Sequence, residues 1–224
     1  MMSKRNLLVQ KLGLVDYKTA LGIQKEIEQL VKKLQQSDTI LLLEHPHTLT
    51  IGRRGDVSSV LLDEHELQQR EVTLFETNRG GKVTYHGLGQ IVGYPIINLS
   101  PDREDVHRYV RDLEEVLIRT LDDFGIPSFR IEGLTGVHTQ RGKVAAIGVH
   151  ISRWVTTHGF ALNVNTDLSY FNLIIACEGE PVTSMEELLG QVTELSLVED
   201  RLVVNFADVF NMIAEPIEVA SATR

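Results

Sequence analysis

Apolar residues first recur at helical spacing in DYKTALGIQKEIEQLVKKLQQSD, where Ala20, Ile23, Ile27, Leu30, Val31 and Leu34 make one stripe and charges fill the opposite face. Asp16 is placed to cap that helix. The stretch TILLLEHPHTLTIG reads as a buried strand broken at Pro46 and followed by a second, short extended piece. DEHELQQR opens with the D-x-x-E spacing of a capping box and predicts a short helix. IVGYPIINL is another apolar strand. PDREDVHRYVRDLEEVLIRTLDDFG gives the clearest helix, with Val106, Tyr109, Val110, Leu113, Val116, Leu117 and Leu121 on one side, acidic residues in its first turn and a stop at Gly125 and Pro127. After Ser128 the pattern changes to strands in SFRIEG, KVAAIGVHIS, RWVTTH and GFALNVNTD, an antiparallel meander. Two late helices, TSMEELLG with its capping box and NFADVFNMIAEPI, follow.

Helices interspersed with strand pairs predict an α+β (mixed α/β) fold around one core. No repeat, low-complexity tract or linker divides the chain, so residues 1–224 are expected to form one domain. A chain of this size buries enough surface to fold without disulfides or a structural metal. No apolar run reaches the length of a membrane span, and the basic start MMSKRNLLVQKLGLVDY lacks the apolar core and cleavage site of a signal peptide. The single cysteine, Cys177, rules out an intramolecular disulfide and fits a reducing, cytoplasmic setting. A net charge of −9 argues against a nucleic-acid partner and requires that any acidic partner be met by a local basic patch.

Candidate chemistry gathers first in RGGKVTYHGLGQIVGYPIINL, residues 79–99, where five glycines fall within residues 79–93 beside Arg79, Tyr85 and His86. Glycine at this density points to tight turns or to close approach of backbone to a ligand. GGKVT is not a P-loop, because Val83 follows the lysine, and Gly87, Gly89 and Gly93 are one residue too widely spaced for a dinucleotide fingerprint. Glu44, His45 and His47 invite a metal, but Pro46 intervenes and no third ligand has recognisable spacing, so no metal site is expected. Cys177 lies where the apolar LIIAC meets the turn CEGEP. Alone it reads as a small buried hydrophobe, and a nucleophilic thiolate there would need a cation nearby to offset Glu178 and Glu180. Lys143, at the head of KVAAIGVHIS, is the cation in question, although by itself it reads as an exposed strand-end lysine. In HGFALNVNTD, Asn163, Asn165 and Asp167 alternate as one polar face ending in an Asx turn, or as a pocket wall where Gly159 permits close approach.

Taken together, LLLEHPHTLTIG, the stretch 79–99, KVAAIGVHISRWVTTHGFALNVNTDLSYFNLI, and Cys177 with VTSM after it resemble the lipoyl(octanoyl) transferases over residues 10–189; residues 190–224 would be a C-terminal strand, helix and tail. The resemblance implies the catalytic-domain fold of biotin and lipoate protein ligases, a larger mixed sheet and a smaller sheet flanked by helices. It implies transfer of an octanoyl group from octanoyl-acyl carrier protein to the lysine of a lipoyl domain, on the E2 subunits of 2-oxoacid dehydrogenases or the glycine cleavage H protein, with no cofactor, nucleic acid or membrane involved. Carried over by position, Cys177 matches the acyl-accepting cysteine and Lys143 its paired lysine. The substrate-binding stretches match Arg79, Gly80, Gly81, Lys82, Val83, Thr84, Tyr85 and His86, then Ala146, Ile147 and Gly148, then Gly159, Phe160 and Ala161. This sequence departs from the pattern at Leu88, where proline is common, at Val137-His138-Thr139 in what reads as the loop before Lys143, and at Glu178-Gly179-Glu180 after the cysteine.

The implied chemistry is ping-pong acyl transfer. The glycines would line a narrow acyl tunnel, Lys143 would protonate the departing thiolate, and either Lys143 or His86 would take the proton of the attacking amine. Because both carriers are acidic in this family's systems, Arg53, Arg54 and Arg79 are expected to dock them. An ATP-dependent ligase on the same fold, a non-catalytic acyl-binding module and, more remotely, a metal hydrolase are the rival readings.

Overall fold

The computed structural model describes residues 4–175 and 181–217. Its larger sheet has seven strands in the order β10-β1-β2-β6-β9-β8-β7. They are β1 (Arg5–Leu14), β2 (Asp38–Glu44), β6 (Gln90–Ile96), β7 (Val137–Thr139), β8 (Gly142–Ser152), β9 (Val155–Asn163) and β10 (Met212–Pro216). β10, β1 and β2 run parallel, and β2, β6, β9, β8 and β7 pair antiparallel. A second sheet orders β4 (Thr73–Glu76), β3 (Thr48–Ile51) and β5 (Val83–His86).

The run ILLL in β2 is continuous because both faces of the central strands are covered. Ile40 and Leu42 join Leu7, Val9 and Ile91 in a core closed by α3 (Val106–Asp123) and α5 (Leu195–Phe210). Leu41 and Leu43 join Val92, Tyr94 and Ile96 in a second core under α1 (Tyr17–Lys32). The small sheet builds a third core with Leu67 of α2 (Glu64–Gln69), Tyr85 and Ile174. Pro46 separates β2 from β3 and sends them into different sheets, which leaves a space between the sheets.

Local signals read from the sequence hold where side chains bond their own backbone. The Asp16 carboxylate accepts from Thr19 N–H, and Asp63 and Glu66 form the reciprocal capping box. Ser184 caps α4 (Met185–Leu189), and Asp167 accepts from Ser169 N–H in the expected Asx geometry. Glu104 and Asp105 precede α3 rather than occupying its first turn, with Asp105 as the cap.

The structure differs from the sequence pattern in several strands and in the bounds of the last helix. SFRIEG contributes one isolated bridge, Phe129 to His138, and Val137–Thr139 is a strand rather than a loop. RWVTTH and GFALNVNTD are one strand after a turn in which Arg153 and Trp154 both take positive φ, with His158 held at φ 56° in its middle. The last helix begins ten residues before NFADVF and ends at Asn211, whose φ of 55° turns MIAEP into β10. β1, β4 and β5 carried no recognised signal: β4 and β5 are four-residue edge strands defined by their partners, and β1 pairs with β10 and, beyond α1, with β2, both distant in sequence.

Two glycines separate local from tertiary constraint. A Cβ on Gly159 would lie 2.1 Å from the Gly93 carbonyl oxygen, whereas one on Gly22, exposed in α1, would meet nothing within 4 Å. Gly159→Ala is expected to destabilise the fold by about 1–3 kcal/mol, and Gly22→Ala to stabilise it by up to about 1 kcal/mol. Urea midpoints moving in the same direction for both would contradict this packing.

Candidate active site

The space between the sheets is a cavity of about 450 Å³. Its floor is one face of β8 and β9 at the paired positions Ala146 and Ala161, Gly148 and Gly159. Strand alternation puts these positions on one side of the sheet, and their small size makes the room. Its roof is the 79–84 segment with His86, and Tyr17, Tyr94 and His158 also line it.

Arg79 holds the roof. It is 7% exposed, and its Nη2 donates to the Thr50 carbonyl at 2.6 Å and the Lys82 carbonyl at 2.9 Å, while Nη1 donates to the Gly80 carbonyl at 3.0 Å. The expected role of Arg79 in docking a carrier is therefore corrected: a guanidinium buried against carbonyls is not a surface charge. Gly80 N–H bonds the Val149 carbonyl, and Gly52, Arg53 and Arg54 N–H groups bond the carbonyls of Lys82, Arg79 and Gly81. Gly81 sits at φ 91° in this knot. Arg53 and Arg54 remain exposed, with Arg54 on the cavity rim.

Lys143 is half-buried and lines the cavity, not an exposed strand end. Its N–H donates to the Pro181 carbonyl at 2.8 Å, and its carbonyl accepts from Thr183 N–H at 3.0 Å. A Cβ on Gly136 would lie 2.6 Å from Lys143 Cε, and one on Gly142 2.4 Å from the Pro181 oxygen, so two glycines let backbone pack against the lysine stem and its neighbour strand. Cys177, with Glu178 and Glu180, lies outside the described residues. On either side of them Ile174 and Val182 line the same cavity.

Of the residues matched to substrate binding, all but Tyr85 line this cavity. Tyr85 points to the opposite face of β5, fully buried, with its hydroxyl 2.7 Å from His47 Nδ1 and its ring stacked on Tyr170. Gly87 and Gly89 likewise serve the protein and not a tunnel. A Cβ on Gly87 would fall 1.8 Å from the Tyr85 hydroxyl, and Gly89, at φ 77°, gives its N–H to Glu44. The polar face read in HGFALNVNTD clamps chain segments, since Asn163 Nδ2 donates to the Thr183 carbonyl and Asn165 pairs with Thr193. The close approach at Gly159 is to the Gly93 carbonyl.

Glu44, His45 and His47 are each engaged within the protein: Glu44 with Gly89, His45 with the Val15 carbonyl and the Tyr94 hydroxyl, His47 with Tyr85. Burial lowers His45 to about 4 and His158 to about 4. Burial, aided by His45, Arg79 and His158, lowers His86 to about 3 against the opposing bond from Gln90. An imidazole so depressed is a weak base, which removes the main ground for His86 as the acceptor of the amine proton. Tyr17, Tyr94 and Gln90 were not singled out in the sequence, whereas His158 opens the HGFALNVNTD stretch read as a pocket wall. Tyr94 and Gln90 carried one signal, a polar side chain in or beside an apolar run, and Tyr17, between Asp16 and Lys18, carried none.

A mixed seven-stranded sheet with a three-stranded sheet across a cavity is an architecture shared with known ligases. The fold is similar to a bi-partite lipoate protein ligase from Thermoplasma acidophilum, with a TM-score of 0.75 and 15% identity over 96% of this chain and 88% of that one. It is also similar to the biotin protein ligase from Aquifex aeolicus, with a TM-score of 0.52 and 14% identity over 93% and 70%. The family model described as the lipoyl protein ligase A/B catalytic domain matches residues 16–207, which defines the class. Within it, the sequence is 50% identical over 208 residues to the octanoyltransferase of Solibacter usitatus, covering 92% of this chain and 94% of that protein. It is 45% identical over 223 residues to that of Roseiflexus sp. strain RS-1, covering 97% and 92%. The chain belongs to the octanoyltransferase family.

The three buried histidines give a pH prediction. The unfolded chain takes up protons at these positions below about pH 6.5, while the folded state stays neutral until about pH 4 at His45 and His158 and about pH 3 at His86. The unfolded state then binds more protons, so stability falls as pH falls through this window. Between pH 7.5 and 5.5 the loss is expected to reach up to about 4 kcal/mol, read from urea denaturation; a flat profile would show that these imidazoles are not held neutral.

Proposed function

We propose that the chain carries an octanoyl group from the thioester of an acyl carrier protein to the lysine of a lipoyl domain, by way of an acyl-cysteine on Cys177 with Lys143 as its proton partner. The observation that carries this reading is the convergence on one cavity of Lys143 and of the chain on both sides of residues 176–180. The cavity's volume suits a small acyl group, and its floor of Ala146, Gly148, Gly159 and Ala161 offers an apolar surface for the chain of the substrate.

In the first half-reaction the Cys177 thiolate attacks the thioester carbonyl. A C–S bond to the enzyme forms, the C–S bond to the carrier breaks, and the Lys143 ammonium gives its proton to the departing thiolate. In the second, a neutral lysine amine of the acceptor attacks acyl-Cys177. A C–N bond forms, the C–S bond to Cys177 breaks, and the now neutral Lys143 takes the proton lost by the amine. Conversion of a thioester to an amide is downhill, so the sequence of steps closes without a nucleotide. The acceptors are the E2 subunits of 2-oxoacid dehydrogenases and the glycine cleavage H protein. The whole chain acts as one catalytic domain, in the cytoplasm. Arg53 and Arg54, exposed beside the cavity mouth, dock the acidic carrier.

Intact-mass analysis after mixing with octanoyl-acyl carrier protein should show one added octanoyl group on the wild type and none on Cys177→Ser. Lys143→Met should slow turnover by about 10²–10⁴-fold; near-normal turnover by either variant would refute the pair. Arg53→Glu with Arg54→Glu should raise the apparent KM for the carrier about tenfold at low salt, and less at high salt. A carrier KM unchanged at low salt would remove the docking role.

A further inference from the structure

A chain of buried amides fixes the state of one imidazole in the cavity. Backbone carbonyls only accept hydrogen bonds, so they orient each amide that reaches them. The Thr183 carbonyl accepts from Asn163 Nδ2 at 3.0 Å, which makes Asn163 Oδ1 the acceptor for Gln90 Nε2 at 2.9 Å. Gln90 Nε2 gives its second hydrogen to the Tyr85 carbonyl at 3.2 Å. Gln90 Oε1, 2.8 Å from His86 Nδ1, is then an acceptor, and His86 Nδ1 must carry the hydrogen. Nε2 is left with a lone pair and no hydrogen bond to any described residue, on a ring that lines the cavity.

Little can shift this arrangement. Gln90 is 1% exposed, Asn163 5% and His86 6%. The His86 ring lies 6.3 Å from Tyr17, stacked, and 5.7 Å from His45, edge-on. The titratable or charged groups acting on it are His45, Arg79 and His158, none of which favours an imidazolium. A recess of about 20 Å³ shared by Gln90, Asn163, Thr84 and Lys143 brings the network alongside the lysine.

We propose that Gln90 is a positioning residue for acyl transfer: it locks His86 as the Nδ1–H tautomer, so that Nε2 accepts a hydrogen bond from the incoming lysine amine. The inference rests on the function proposed above. A neutral amine carries two N–H groups; one proton passes to Lys143 and the other N–H is free to be held by His86, which itself neither gains nor loses a proton. The reacting atoms of the first half-reaction, a thiolate and a thioester, offer no N–H to this lone pair. The effect of Gln90 should therefore fall on the second half-reaction.

Nitrogen-15 NMR of the histidine-labelled full chain, with the His86 signals identified by their loss in His86→Gln, reads the tautomer directly. The wild type should show a protonated Nδ1 and an unprotonated Nε2 from pH 5.5 to 8. Gln90→Met should give mixed tautomers. Single-turnover transfer from its preformed acyl-enzyme to a lipoyl domain should fall by about tenfold, the size expected of one lost hydrogen bond, with a smaller fall in acyl-enzyme formation. An Nε2–H tautomer or a titration midpoint inside that pH range in the wild type overturns the lock, whether or not Gln90→Met folds. Equal loss in both half-reactions overturns the assignment to the amine. Failure of the wild type to form any acyl-enzyme would instead refute the function proposed above, and the tautomer measurement would still stand.

Discussion

The site exists because the guanidinium of Arg79 is buried between two sheets. Its N–H groups reach the Thr50 carbonyl on β3 and the Gly80 and Lys82 carbonyls of its own loop. A buried carbonyl without a partner is costly, and a buried cation without acceptors more so. Each therefore requires the other. The side chain also lies against Gly148, where a Cβ would come within 3.2 Å of Arg79 Cδ, so the roof is set at the height of the floor. The cavity is what remains between a loop that cannot lift and a sheet whose side chains there are too small to fill it.

Lys143 is positioned by a similar economy of backbone. The 181–183 segment runs parallel to the start of β8, exchanging hydrogen bonds on both sides of the lysine. Asn163 ties that segment to Gln90 through the Thr183 carbonyl. The lysine, the chain returning after residues 176–180 and the His86 imidazole thus belong to one connected network. The buried Asn163 and Gln90 amides, bonded at both ends within this network, are stiff, which is the property a site needs of residues that orient its other groups.

Legibility in the sequence varied with the range of the interaction responsible. Asp16, Asp63, Ser184 and Asp167 could be read as caps because each bonds a backbone group two or three residues away. The long stripe of α3 was equally plain. β1 and β10 were not, since their pairing joins Arg5 to Met212 across almost the whole chain. The glycines of residues 79–93 looked alike in the sequence and proved to have different causes: Gly80 and Gly81 belong to the cavity roof, Gly87 to the Tyr85 hydroxyl, and Gly93 to the Phe160 ring. Resemblance of motifs carried the family and the fold, where spacing alone had left Lys143 an ordinary strand-end lysine.

By itself the sequence determined the mixed architecture, the local caps, the family and the set of residues around which a site could form, because periodicity and short-range bonding are properties of neighbouring residues. Tertiary structure alone decided which of those residues face one another. Tyr85 and His86 are adjacent in the chain and lie on opposite faces of β5, one committed to a core and the other to the cavity. Arg79 became a strut instead of a surface charge, and His86 an imidazole held neutral, because burial and the partners that arrive from distant strands set what a charged or titratable group can do.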